Sequence, residues 1–224
     1  MALPIHNAKF LETLKLYIVI ILKETVIKMK NKLYFKKLIY NLLVKAGCLA
    51  KLEKLSLLIQ HYLSDLKIYR YEQESGCKIK FVPQGSFKLS IIGNLKNFEI
   101  DSTSHVKSDT LIECSGGVKI GRYFHTGRGL TIFSTNHNYD SKELIPYDST
   151  MLKKPVVIKD FVWLGANVTI LPGSVIGEGS IVAGGSVVKG TVPDFAIVGG
   201  NPIRIIKYRN IHAFKLLRKE GKFF

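Results

Sequence analysis

Cysteine is scarce in this 224-residue chain, which holds only Cys48, Cys77 and Cys114. So sparse and odd a set excludes a disulfide framework and makes a reducing cytosol the default compartment. Membrane-length apolar runs are also missing. The run Leu16–Leu22 is seven residues between Lys15 and Lys23, far short of the roughly 20 that span a bilayer. No small-residue cleavage site follows a basic start, so no signal peptide is expected. Acidic residues are few, 17 against 33 basic, for a net charge of +16. Such an excess invites a nucleic-acid partner, but its distribution argues against one. Residues 1–80 carry +9, residues 81–202 only +1, and residues 203–224 carry +6. What is plentiful is apolar sequence, 46% of the chain, which excludes wholesale disorder and suits one domain or one and a half.

Residues 1–80 read as an N-terminal helical region. Proline is absent from residues 33–67, and Leu38, Leu42, Leu49, Leu52, Leu55, Leu58, Ile59 and Leu63 recur close to helical spacing. Lysines fall between them, as on a solvated face, and Gly47 is the expected break. These helices pack on the remainder of the chain or on a partner subunit, or rest peripherally on anionic lipid. Residues 1–28 read as a dispensable arm, because Met29 opens a second plausible start. Gly76 and Pro83 punctuate the exit into a different kind of sequence.

That second kind of sequence repeats every six residues. Ile158, Leu164, Ile170, Ile176, Val182 and Val188 are aliphatic at one phase; Val162, Val168, Ser174, Ser180, Ser186 and Val192 are small or β-branched four positions later. Upstream, Cys114, Ile120, Thr126 and Ile132 keep the first phase, while Val118, Phe124, Leu130 and Asn136 keep the fifth. Ile100, Val106 and Ile112 continue the fifth-position rhythm. A helix needs a period of 3.6 and a plain strand a period of two. Six fits a short strand plus a turn, and three such sides make a triangular coil with the aliphatic positions stacked inside. The fold class expected is mainly β, a parallel β-helix or hexapeptide-repeat solenoid over 81–202. A loop at 138–155 interrupts it, and a basic tail or short C-terminal helix fills 203–224.

Three further motifs carry a family resemblance. They are Ser134-Thr135-Asn136-His137-Asn138-Tyr139-Asp140 with the loop Ile145-Pro146-Tyr147-Asp148; Lys154-Pro155-Val156-Val157-Ile158 leading to Val162-Trp163-Leu164-Gly165; and Val198-Gly199-Gly200-Asn201-Pro202-Ile203-Arg204-Ile205-Ile206-Lys207. Together with the repeat they resemble the hexapeptide-repeat acyltransferases, in the branch of maltose, galactoside and capsule or O-antigen polysaccharide O-acetyltransferases. The resemblance implies a left-handed β-helix, a cytoplasmic homotrimer, acetyl-CoA as acyl donor, no metal, and a sugar or glycan acceptor.

The chemistry asks for a base near neutral pH, since an alcohol is a poor nucleophile, and histidine suits it. By resemblance His137 is the catalytic base and the backbone N–H of Ala166 is the oxyanion donor. Trp163, Ala166, Gly184, Ser186, Lys189, Arg204 and Lys207 match the positions that hold the donor. Lys189 stands one residue from its usual place, and Trp163 reads more as packing than as a stacking platform. Asn136, Tyr139, Asp140, Tyr147, Asp109 and Glu113 are the acceptor candidates. The rival nucleophile, Cys114, falls on the aliphatic phase and is expected to be buried. An N-acetyltransferase acting on an amino sugar uses the same base and donor. A non-catalytic β-solenoid is the remote alternative. A zinc carbonic anhydrase on the same fold needs a close histidine pair, which His105, His125 and His137 are not expected to supply.

Overall fold

The structure, a computed structural model, describes residues 12, 15–21, 32–45 and 47–224. The expected arm at 1–28 therefore lies largely outside the described residues. Two compact units are present, residues 1–59 and 60–224. Helix α1 spans Lys32–Lys45 and α2 spans Cys48–Ser75, with Gly47 between them as expected. Gly76 ends α2, its N–H donating to the Glu72 carbonyl at 2.9 Å. A single wet face does not form. Leu52, Leu55, Leu58 and Leu63 are all exposed. The apolar run Leu57-Leu58-Ile59 turns about 100° per residue and wraps the helix instead of lining one stripe. Further along α2, Tyr71 is buried in the core of the second unit. No helix among the described residues is long and apolar enough to cross a membrane.

The second unit is built on three parallel sheets. The first face stacks β2 (Leu89–Ile92), β5 (Thr110–Glu113), β8 (Thr131–Phe133), β13 (Thr169–Ile170) and β16 (Val187–Val188). The second stacks β3 (Phe98–Ile100), β6 (Val118–Ile120), β11 (Val156–Ile158), β14 (Val175–Ile176) and β17 (Thr191–Val192). On the third lie β7 (His125–Thr126), β12 (Trp163–Leu164), β15 (Ile181–Val182) and β18 (Ala196–Gly199), with β19 (Arg204–Tyr208) antiparallel at its edge. Above β7 comes β4 (His105–Lys107), which pairs with β1 (Lys80–Val82). From β11 to β16 the chain visits second, third and first face in strict rotation, one strand at a time. Helix α3 (Ile211–Lys219) follows β19, N-capped by Asn210, whose side chain accepts from the Ala213 N–H.

Inside, the six-residue phase becomes three ladders. Ile91, Ile112, Ile132, Ile170 and Val188 stand in register on the first face. Ile100, Ile120, Ile158, Ile176 and Val192 do so on the second. Thr126, Leu164, Val182 and Val198 form the third. The fifth-position residues Val162, Val168, Ser174 and Ser186 are also buried, and the Ser174 and Ser186 hydroxyls donate to the carbonyls of Leu171 and Ala183. Three ladder residues differ from their expected phase, the first being Ile100, read at the fifth position but standing in register with Ile120. Ile112, not Cys114, occupies the ladder, because the corner Cys114–Gly117 is longer than one repeat allows. Val192 is a ladder residue too, because the corner after Val188 is shorter. Both slips sit in corners, where the backbone must turn but no aliphatic residue has to point inward.

The corners fit closely. At the corner between third and first faces, a Cβ on Gly127 would meet the Ala166 nitrogen at 2.5 Å, and one on Gly165 the Gly184 nitrogen at 2.4 Å. Glycine is required at both by the approach of the next turn. At the corner between second and third faces, Tyr123 and Phe161 hold left-handed backbone, φ +52° and +60°, costing roughly 1–2 kcal/mol each. Their rings stack with centroids 5.0 Å apart.

Between first and second faces the coil is interrupted. An arm leaves after Ser134 and returns at Lys154, whose N–H donates to the Ser134 carbonyl at 2.8 Å. Within it β9 (Thr135–His137) pairs antiparallel with β10 (Met151–Lys153).

Ile170→Ala removes a fully buried rung and should destabilise the unit by about 2–5 kcal/mol, read as a lowered denaturation midpoint with cooperativity retained. Acid should also act in a defined window. Burial first, then the charges of His125, Lys107 and Lys80, push the His105 imidazole down from 6.5 to about 4. Below pH 6.5 the unfolded chain takes up a proton that the folded chain refuses. Stability should therefore fall as pH drops from 6.5 to 4 and be flat just above; His105→Gln should flatten that slope in pH-dependent melting.

Candidate functional site

His137 ends β9 on the arm and is exposed. Its ring stacks on Tyr147, with centroids 3.9 Å apart and planes at 17°. The turn between the arm strands is tied by Asp148, which accepts from the Asn138 amide at 2.7 Å and the Thr150 N–H at 2.8 Å. Hydrogen bonds from Thr150 and Ser141 lead in holding the Asp148 carboxyl down at about 2. Asn136 accepts the His137 N–H on its side-chain oxygen at 2.9 Å. Tyr139 and Asp140 project beside them, both exposed. The arm thus brings together His137, Asn136, Tyr139, Asp140 and Tyr147.

Glu113 stands at the root of this arm. Its carboxylate accepts from the Ser115 N–H at 2.8 Å, the Ser134 N–H at 3.1 Å, the Ser134 hydroxyl at 3.0 Å and the Thr135 hydroxyl at 2.9 Å. Burial pushes the Glu113 carboxyl up, but the hydrogen bonds from Ser115, Thr135 and Ser134 outweigh it and the net shift is down. The carboxylate clamps the two residues that launch β9. Asp109 is similarly engaged, with the Ser86 hydroxyl at 2.7 Å and in an ion pair with Arg128.

A different corner carries the donor candidates. Ala166 is exposed between third and first faces, and its N–H donates to no acceptor among the described residues. Gly184 lies on the next turn, with Gly185 donating to the Ala166 carbonyl at 2.8 Å. Arg204 follows, opposite Gly199 on the β18–β19 ladder. Ser186 presents no hydroxyl outward; it is fully buried and accepts the Gly200 N–H. Lys189 is exposed at the other corner, below the arm, and Lys207 lies on β19 opposite Ile197. Ala166 and Gly184 come together, Arg204 lies further on, on the edge strand β19, and Lys189 leaves a different corner.

Three expectations change. Trp163 is not packing; it is 54% exposed on the outside of β12, because Leu164 beside it takes the ladder and a strand alternates sides. His105 and His125 do meet, their rings 4.3 Å apart in an edge contact; no third metal-binding side chain joins them among the described residues. Cys114 is buried, though off the ladder. Its thiol donates to the carbonyls of Ile92 and Asn94, and burial, then the Glu113 charge, pushes it up to about 11. It stays protonated and inert at neutral pH.

Comparisons with known proteins agree with this geometry. Residues 155–190 match the family model for the bacterial transferase hexapeptide, six repeats. A protein of Escherichia coli (strain K12), provisionally named a lipopolysaccharide biosynthesis O-acetyl transferase, is 37% identical over 143 residues, covering 60% of this chain and 68% of that protein. A Mycobacterium tuberculosis protein, provisionally named an acetyltransferase, is 30% identical over 46% of this chain and 34% of that one. Among solved structures, a hexapeptide-repeat-containing acetyltransferase from Vibrio cholerae, in complex with acetyl coenzyme A, is 25% identical with a TM-score of 0.52, covering 70% of this chain and 88% of that chain. With the ladders, the tight corners and the arm in place, these likenesses settle the lineage: the chain belongs to the hexapeptide-repeat acetyltransferase family.

Proposed function

We propose that the chain transfers acetyl from acetyl-CoA to a hydroxyl of a sugar, of the polysaccharide, capsule or O-antigen type, with His137 as general base. The observation that carries this reading is an exposed histidine, stacked on Tyr147, on an arm that projects from a coil otherwise closed by its ladders. The likeness to a protein named for lipopolysaccharide O-acetyl transfer supports the acceptor class. In this reading the three-faced coil is a left-handed β-helix. His137 and Ala166 leave different corners of one chain, which supports a homotrimer in which the arm of one copy meets the Ala166 corner of the next. Exposed apolar and basic residues along α1 and α2 support peripheral contact with anionic lipid from a cytoplasmic location.

His137 removes the proton of the acceptor hydroxyl as that oxygen attacks the thioester carbon. The Ala166 N–H donates to the oxyanion that forms. The protonated imidazole then returns its proton to the departing thiolate, so no acyl-enzyme is needed. The exposed corner at Ala166 and Gly184 carries no side chain larger than a methyl, which suits a pantetheine arm lying close. Arg204 and Lys207 are the cations for the donor's phosphates, joined by Lys189 only from a neighbouring copy, and Trp163 offers an exposed indole next to the donor corner. Asn136, Tyr139, Asp140 and Tyr147 are the arm's groups for sugar hydroxyls.

His137→Ala should lower kcat by about 100- to 10,000-fold in a thiol-release assay over candidate glycans, with circular dichroism unchanged; normal turnover would sink the assignment. Alkali separates the alternatives, since an ester product is cleaved and an amide persists. Glu113→Ala should lower kcat by about 10- to 100-fold by loosening the root of the arm, while KM for acetyl-CoA holds. Glu113→Gln, which keeps an acceptor oxygen for Ser134 and Thr135, should recover part of the loss.

A further inference from the structure

A cleft of about 740 Å³ lies between the third face, α3 and residues 220–224. No residue of the arm lines it. Five cations line it, Lys80, Lys107, Arg209, Arg218 and Lys222, and no Asp or Glu side chain does; Phe224, whose backbone accepts a hydrogen bond from His125, also lines it. Three of the five are already engaged. Arg218 pairs with Glu178 at 2.6 Å, Lys222 with Glu220 at 2.8 Å, and Arg209 donates to the Gly179 carbonyl while lying over the Phe214 ring. Lys80 and Lys107 have no carboxylate partner among the described residues. They sit on adjacent strands, Lys80 opposite His105 and Lys107 two residues beyond it, so both ammonium groups share the side of the sheet that faces the cleft.

The rest of the column is aromatic. Lys80 stands over His105, His105 over His125, and His125 over Trp163, one strand apart at each step. At strand spacing this places Lys80 and Trp163 about 14 Å apart along the backbone, the reach of a six-membered ring bearing an anionic group plus a lysine side chain. Tyr123 and Phe161 form the side wall, held there in left-handed backbone that bulky residues rarely adopt. The column ends beside the donor corner, since Thr126 and Trp163 lead directly into Gly127 and into Gly165–Ala166.

We propose that this cleft receives the acceptor, and that the acceptor is a sugar bearing a phosphate or carboxylate, its anion against Lys80 and Lys107 and its ring against Trp163. The proposal rests on the acetyl-transfer reading and adds to it the charge of the substrate. An uncompensated cation pair attracts an anion strongly in a recess. An exposed indole offers the apolar surface that the C–H face of a sugar ring needs.

Trp163 is the only tryptophan of the chain, so its fluorescence reports the cleft directly. The full chain is titrated with glucose 1-phosphate, glucuronic acid, glucose and inorganic phosphate. Glucose 1-phosphate, glucuronic acid or both should bind about tenfold or more tightly than glucose, and more tightly than inorganic phosphate. The two charged sugars distinguish phosphate from carboxylate. The double variant Lys80→Gln with Lys107→Gln should raise the Kd about tenfold or more and weaken its dependence on salt, with an unchanged melting curve. Equal binding of glucose, equal binding of inorganic phosphate, or indifference to the double variant would overturn the proposal. Acetyl-CoA is titrated separately by calorimetry. If it binds and no charged sugar does, the cleft proposal falls and the acetyl-transfer reading stands. If charged sugars bind as stated and acetyl-CoA does not, the acetyl-transfer reading falls and the cleft keeps its ligand.

Discussion

Everything in the second unit hangs on one contact: an aliphatic side chain lying directly over another, one strand spacing away. Ile132 over Ile112 and under Ile170 is such a contact. Parallel hydrogen bonding fixes the spacing, and side-chain burial fixes the register, because a slip of one residue would turn the ladder outward. A turn cannot be stable alone, since its inward residues would face water above and below. The corners are then what remains to be fitted. Gly127 and Gly165 exist because the ladders bring the next turn within reach of a Cβ. The same demand puts strained backbone at Tyr123 and Phe161, where it is repaid by ring stacking.

Where the ladder rules, sequence is nearly sufficient. Residues 158–188 can be read off at fixed phase, and each inward residue is found where its position in six places it. Trp163 was legible by the same rule, since the residue before a ladder position must face out; its aromatic character pulled the reading towards the core. The slips at Cys114–Gly117 and after Val188 were not legible. Corner length changes without any change in the hydrophobic pattern, so Ile112 and Cys114 exchange roles unseen. The meeting of His105 and His125 depends on the length of the turn between them, which that pattern does not record. In α2 the periodic leucines were visible, but the consecutive apolar residues between them erased the distinction between faces.

The candidate site divides along the same lines. Ala166 and Gly184 need nothing beyond the ladders to be brought into line, and they were found from the repeat and its resemblance. The arm is a local hairpin, and its histidine stood out by its motif. The role of Glu113 was hidden. Its partners Ser134 and Thr135 lie 21 and 22 residues away, and only the stacking of one turn on the next makes them neighbours. The cleft lysines on β1 and β4, without a carboxylate partner among the described residues, were hidden too, inside a composition whose basic excess lies at the chain ends.

The root of the arm is a staple: Lys154 bonds to Ser134, so the chain leaves and re-enters the coil almost at the same point. From the coil's side, residues 135–153 are a closed detour. Lengthening such a detour costs closure entropy only logarithmically and moves no inward residue out of phase. The fold therefore treats its arm as a cassette. Natural variation can exchange or extend the segment around His137 while the corner at Ala166 and Gly184 stays as it is, so that under the proposed function the base and the donor corner can diverge at different rates within one chain.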